Sequence, residues 1–115
     1  MPGMSIHVVD VSRGVVAAGM QVEVRLLNPP RLLCAGRIAA SGVLEDAALA
    51  ARLEPGVYEA HFHVADFYRQ AGVALPSVPF LDVVTMRFGI DDPLQHYHLP
   101  MKLTPWGLSC FRGGA

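Results

Sequence analysis

The stretch GVYEAHFHVADFYRQAG, from Gly56 to Gly72, contains the two patterns that decide the fold class. In its first half the side chains alternate between apolar and polar with a period of two, which is the period of a β-strand with one buried face. The apolar set is Tyr58, Ala60, Phe62 and Val64, and the polar set is Glu59, His61 and His63. The alternation stops in ADFYRQAG, where good helix formers lead to a glycine. A strand followed by one or two helical turns is therefore predicted.

Further strands are predicted on both sides of this stretch. MQVEVRLL (20–27) alternates and stops at Asn28-Pro29-Pro30, and the chain returns through RLLCAGRI (31–38). PFLDVVTMRFGI (79–90) is predicted as a strand, and QHYHLPMKL (95–103) and WGLSCFRG (106–113) as two closing strands. Pro100 within one of them indicates an edge strand or a bulge. SGVLEDAALAARLEPG (41–56) would suit a helix in isolation.

Short strands separated by Pro and Gly turns, with a single brief helix, favour an all-β fold. The specific expectation is a two-sheet antiparallel sandwich of about seven or eight strands with one short helix. A chain of 115 residues is too small to divide into two stable halves, so residues 1–115 are expected to form a single domain.

The composition excludes several classes of partner. The net charge is −1 and the basic residues are scattered, so neither nucleic acid nor a membrane surface is an expected partner. Hydrophobic residues make up 52% of the chain, which suggests that some apolar surface meets another subunit. The N-terminus lacks the pattern of a secretion signal, and the two cysteines form neither a disulfide framework nor a metal motif. Two reduced, packed thiols and a cytoplasmic location are expected.

Histidine is the residue type most able to do chemistry here, and four of the five histidines occur as pairs two residues apart. His96 and His98 should share a strand face, as should His61 and His63, so either pair could contribute to a metal site. Neither pair has an obvious third ligand, and a solvated face is preferred for His61 and His63. A buried core position is expected for His7, and surface positions for Arg37, in a tight turn, and Arg112.

The closing stretch HYHLPMKLTPWGLSCFRGG (96–114) resembles the C-terminal signature of the transthyretin-related proteins, the 5-hydroxyisourate hydrolases. That signature runs His-Tyr-His, an aliphatic residue, Pro, a hydrophobic run, Ser-Pro, aromatic-Gly and Tyr-Arg-Gly-Ser. SIHVVDVSRGVVAAGMQVEV (5–24) is similar to the family's opening strand, AGRI (35–38) to its Asp-Gly-Arg turn, and the 55–72 segment to its strand and short helix.

The resemblance implies a transthyretin-like sandwich assembled as a homotetramer, a dimer of dimers, with active sites between dimers. It implies hydrolytic opening of the six-membered ring of 5-hydroxyisourate, the product of urate oxidase, without a metal or cofactor. The family's functional positions correspond to His7, Arg37 and His98, and to Arg112 in the tail. Imidazole has a suitable pKa for activating water, which makes His98 the expected general base, with His7 orienting the water or shuttling its proton and Arg37 pairing with substrate oxygens.

The tail departs from the family signature at two substrate-binding positions. Phe111 stands where the family has Tyr, and Gly114 where it has Ser, so two hydroxyls are missing. Two alternatives to the hydrolase therefore stay open. One is a non-enzymatic transthyretin-like protein that binds a small ligand, and the other is a hydrolase of a related cyclic amide or ureide.

Overall fold

A computed structural model of the chain describes residues 2–114, which form two packed sheets of four strands each. The strands are β1 (Met4–Asp10), β2 (Val15–Val16), β3 (Gln21–Leu27), β4 (Pro30–Arg37), β5 (Gly56–His63), β6 (Val83–Ile90), β7 (Tyr97–Thr104) and β8 (Gly107–Cys110); the helices are α1 (Ala47–Ala50) and α2 (Val64–Gln70). One sheet has the order β2-β1-β7-β8 and the other β4-β3-β5-β6. We call them the first and the second sheet.

The inward faces of the two sheets form one hydrophobic core. The alternation predicted for β5 is confirmed, since the predicted apolar set is buried and the predicted polar set lies outward, half-buried. Strands β1, β3 and β7 show the same alternation and contribute Ile6, Val22 and Leu103 to the core. Their other side chains consequently point outward, away from the core.

The predicted all-β sandwich is confirmed, with two differences in detail. Strands β1 and β7 pair in parallel, whereas every other named strand pair is antiparallel. There are two short helices rather than one. The 41–56 segment is helical only in α1, where Asp46 Oδ1 accepts a hydrogen bond from the Ala48 amide and the chain becomes extended at Ala51.

Two predicted local features are wrong. The strand expected from residue 79 begins only at Val83, and Phe80 is largely exposed. The segment around Gly36 and Arg37 is not a tight turn, because both residues are paired within β4, where Arg37 lies opposite Gln21. Alternation alone does not locate a strand's end where the flanking residues are also apolar.

Pro100 lies in an inner strand whose register with β1 is continuous, so the structure shows neither the predicted edge position nor the predicted bulge there. The His98 carbonyl accepts a hydrogen bond from the Gly113 amide, so the backbone polar groups of residues 98 and 100 face the C-terminal tail. Proline has no amide hydrogen to donate on that side. The β7–β8 pairing accordingly ends at Met101 and Cys110, and only the single His98–Gly113 bridge forms beyond it.

Candidate functional site

The outer face of the first sheet brings histidines from opposite ends of the chain together. The parallel register of β1 and β7 places Ser5 beside His98, and His7 beside Pro100. All four residues belong to the half-buried, outward-facing set of their strands. His7 and His98 therefore lie on one surface although 91 positions separate them in the sequence.

Ser5 lies between the two histidines of the His-Tyr-His motif. Its Oγ is 2.6 Å from Nδ1 of His98 and 2.9 Å from Nε2 of His96. Nδ1 of His96 is in turn 3.4 Å from the Pro2 carbonyl oxygen. Within residues 2–114, Nε2 of His98 has no hydrogen-bond partner. One nitrogen of that imidazole is thus anchored while the other is available to a ligand.

The position of His7 corrects the expectation of a buried core histidine. Its strand points Ile6 and Val8 into the core and His7 outward. The ring is held by packing against Gly42, where an added Cβ would lie 2.6 Å from Nε2 of His7. Gly42 has φ +86°, and its carbonyl accepts from the Val8 amide. Close approach of the backbone to the imidazole is possible because this residue has no side chain.

Arg37 lies at the end of β4, close to the first sheet but separate from the imidazoles. The chain after β4 pairs Ile38 with Leu44, and the adjoining Val43 pairs with His7. The exposed guanidinium donates from Nη1 to the Gly19 carbonyl at 3.0 Å and borders an open depression of about 230 Å³. No hydrogen bond joins Arg37 to His7 or His98 within the described part of one chain.

The C-terminal tail packs against His98. An added Cβ at Gly113 would lie 2.9 Å from Cδ2 of His98, so the tail touches the ring edge only because it is glycine there. The Arg112 guanidinium lies 4.0 Å from the centre of the Tyr97 ring and donates to Oε1 of Gln95. Phe111 is partly exposed, and Gly114 has open space around it.

Comparison with known proteins identifies the family of the chain. A family model described as HIUase/Transthyretin family matches residues 4–113. The chain belongs to the HIUase/Transthyretin family. The resemblance identified from the tail is thereby confirmed over nearly the whole described chain.

Individual family members are similar in both sequence and structure. A 5-hydroxyisourate hydrolase of Deinococcus radiodurans is 43% identical over 115 residues, covering 97% of this chain and 96% of that protein. The Klebsiella pneumoniae 5-hydroxyisourate hydrolase structure has a TM-score of 0.81 at 26% identity, covering 99% of this chain and all of that one. A crystal structure of (S)-allantoin synthase has a TM-score of 0.90 at 32% identity over 97% of this chain, which spans 43% of that protein's length. These likenesses confirm the predicted transthyretin-like fold.

The outer face of the second sheet carries the other histidine pair, which carboxylates engage. Nε2 of His63 is 2.8 Å from Oε2 of Glu23, and Nε2 of His61 is 2.9 Å from Oε1 of Glu59. The pKa of Glu59 is lowered, first by its hydrogen bond with His61 and then by its hydrogen bond with Arg87. Residues 2–114 contain no group of three or more potential ligands placed to hold a metal ion.

Both cysteines of this family member are free, as expected. Burial raises the pKa of the Cys110 thiol to about 11. The pKa of the Cys34 thiol is also raised to about 11, mainly by burial and secondly by the nearby Asp46 carboxylate. Both thiols therefore stay protonated near neutral pH and are poor nucleophiles.

A cavity of about 80 Å³ adjoins two of the predicted site residues. Met4, Met86, Phe88, Gly89, Tyr97 and Leu99 line it, together with His98 and Arg112. It is too small and too apolar for a urate-sized substrate, because ligand pockets usually measure about 300–1,000 Å³.

Neither helix in the described chain has the length and apolar character needed to span a bilayer.

Sequence reasoning missed Ser5 altogether and considered His96 only as part of a metal pair. The period of two correctly placed His96 and His98 on one face. The signal for Ser5 lies in the β1–β7 pairing, and nothing in one sequence reveals which residues of two distant strands lie side by side.

Proposed function

We propose that this chain is a 5-hydroxyisourate hydrolase, acting in the cytoplasm as a single domain, in which His98 activates water to open the six-membered ring. The observation that carries the proposal is the outward-facing pair His7 and His98, in which Nε2 of His98 lacks a protein partner within residues 2–114. Membership of a family whose relatives include 5-hydroxyisourate hydrolases supports the choice of substrate.

The reaction requires a water molecule to be deprotonated beside a ring carbonyl. In the proposed step, Nε2 of His98 accepts a proton from water as the water oxygen bonds to the carbonyl carbon. The ring C–N bond then breaks, and the imidazolium returns the proton to the leaving nitrogen. His7 is assigned to orient the water, a role that its position on the neighbouring strand supports. The step balances without a metal or an external acid.

The arginines are assigned to the substrate's oxygens. A planar guanidinium matches the polarised oxygens of a flat, urate-like ring better than an ammonium does. Arg37 is exposed and has donors beyond the one that it uses on Gly19. Arg112 is the second candidate, because the tail that carries it packs against His98 through Gly113. Phe111 and Gly114 are assigned to the same substrate-binding tail.

The altered tail favours a second candidate function, a non-enzymatic protein that binds a small ligand. Losing a transition-state hydrogen-bond donor costs about 2.7–4 kcal/mol, or ~100–1000-fold in rate. Phe111 and Gly114 supply neither of the family's two hydroxyls. The open space at Gly114 supports a bound water as the replacement, which would preserve hydrolysis.

We propose further that the chain assembles as a homotetramer, a dimer of dimers, with sites between subunits. Leu108 lies opposite the buried Leu103 and so belongs to the core side of β8, yet it is 41% exposed. Met86 and Phe88 on the inner face of edge strand β6 are also only partly buried. An open core at these two edges supports a partner subunit covering them.

The activity is tested by generating 5-hydroxyisourate from urate with urate oxidase and following its ultraviolet decay with and without this protein. Faster decay with the protein is the expected result, and it should be unchanged by a chelator. Decay equal to the protein-free control would contradict the hydrolase and favour the binding protein. If a chelator abolished the activity and zinc restored it, the result would contradict water activation by His98 alone and would indicate a metal-dependent mechanism.

A further inference from the structure

The hydrogen bonds behind His98 form a chain of four groups. In order they are the Pro2 carbonyl, the His96 imidazole, the Ser5 hydroxyl and the His98 imidazole. The three separations are 3.4 Å, 2.9 Å and 2.6 Å. The middle two groups can each donate or accept, so the direction of the chain depends on its fixed end.

The Pro2 carbonyl fixes the direction of hydrogen donation along these four groups, because a carbonyl oxygen only accepts. Nδ1 of His96 must therefore carry the hydrogen that it donates to Pro2, which leaves Nε2 of neutral His96 bare. A bare nitrogen accepts, so the Ser5 hydroxyl donates to it. Because the only hydroxyl hydrogen of Ser5 is donated to His96, the Ser5 oxygen must accept from Nδ1–H of His98. Neutral His98 then has its lone pair on Nε2.

We infer that Ser5 is a positioning residue that, backed by His96, holds His98 in the Nδ1–H tautomer with Nε2 ready to accept the proton of water. The inference rests on the proposed function, since it concerns the base of that reaction. The opposite tautomer would present an N–H to the water and could not accept its proton. The outward Ser5 oxygen also accepts from the imidazolium formed during the reaction and so stabilises it.

The direct test is the tautomer of His98, measured by two-dimensional nitrogen–proton NMR on the full chain labelled at histidine, at a pH where its imidazoles are neutral. The His98 signals are identified by their loss in His98→Ala. The expected spectrum has His98 protonated at Nδ1. In Ser5→Ala a substantial fraction is expected to move to the Nε2–H form. A wild-type His98 protonated mainly at Nε2, or a tautomer unaffected by Ser5→Ala, would overturn the inference.

Kinetics provide the second test. Ser5→Ala is expected to lower kcat roughly ten- to a hundred-fold, the effect of losing one hydrogen bond to a charged group, with little change in KM. Ser5→Thr keeps the hydroxyl and should restore both the rate and the tautomer. Ser77→Ala removes an exposed loop hydroxyl and serves as the matched control. Equal rates for Ser5→Ala and Ser77→Ala would contradict the inference.

The two tests separate the inference from the function on which it rests. If the wild-type chain hydrolyses nothing, the proposed function fails while the NMR spectrum still decides the tautomer. If Ser5→Ala does not fold, His96→Ala serves as a second variant. It removes the imidazole that accepts the Ser5 hydrogen, and it should also release part of the His98 population to the Nε2–H form. An unchanged His98 tautomer in His96→Ala would refute the assigned direction.

Discussion

At the scale of single residues, Gly42 controls how His7 is held. A Cβ at this position would lie 2.6 Å from Nε2 of His7 and 2.8 Å from Cγ1 of Val16, so Gly42→Ala must displace the imidazole. The substitution also strains a backbone with φ +86°, at a cost of about 1–2 kcal/mol. Gly14→Ala is the matched control, because Gly14 has φ +70° and no atom near the added Cβ.

Both glycine variants are expected to unfold at a lower temperature because of the strain, but only Gly42→Ala should lose most of its hydrolytic activity. Circular dichroism melts and initial rates at a temperature where both variants are folded provide the comparison. Equal activity in the two variants would show that the position of His7 is unimportant for the reaction.

At the scale of elements, one buried carboxylate joins β1 to α2. Among the described residues, Asp10 is the one charged residue that is fully buried. Its carboxylate accepts hydrogen bonds from Ser12, from Nε of Arg13 at 2.6 Å and from the Tyr68 hydroxyl at 2.8 Å. Burial alone would raise the pKa of Asp10, but the hydrogen bonds from Ser12, Arg13 and Tyr68 together outweigh it and lower that pKa. The hydroxyl of Tyr68, in turn, has a pKa raised by burial and by Asp10.

Acid should therefore loosen the contact between these elements. Because the pKa of Asp10 is lower in the folded chain, its stabilisation is present above the unfolded pKa and is lost as the pH falls through the folded value. Asp10→Asn is expected to cost roughly 1–3 kcal/mol at neutral pH, because it weakens the buried hydrogen bonds from Arg13 and Tyr68, while the Arg13 side chain, 37% exposed, stays in contact with solvent. Urea unfolding at fixed protein concentration measures both effects. Equal acid sensitivity in the variant and the wild type would contradict this role.

The sequence predicted most of these elements because a period of two and the Pro and Gly turns are local features. Strand β5, helix α2 and the shared face of His96 and His98 follow directly from them. The parallel pairing of β1 with β7 does not, since it joins residues about 90 positions apart. The outward position of His7 was missed for a related reason: Ile6, Val8 and Val9 are all apolar, and only the packed sheets decide which of them is buried.

At the scale of the whole molecule, the open core edge at β8 predicts assembly. Leu108→Asp places a charge where a partner subunit is proposed to cover the core, and should shift the proposed tetramer to smaller species and reduce activity. Leu32→Asp is the matched control, because Leu32 is similarly exposed, at 47%, on the opposite edge strand β4. Light scattering coupled to gel filtration measures the mass. A wild-type monomer, or an unchanged mass in Leu108→Asp, would contradict the proposed assembly.

The most direct test of the catalytic account compares two histidine variants in the 5-hydroxyisourate decay assay. His98→Ala removes the proposed base from the first sheet, and His61→Ala removes a half-buried imidazole from the outer face of the second. The account predicts that His98→Ala slows the enzymatic reaction by about 100–10,000-fold, the usual contribution of a general base, while His61→Ala stays close to wild type. Wild-type activity in His98→Ala would contradict it.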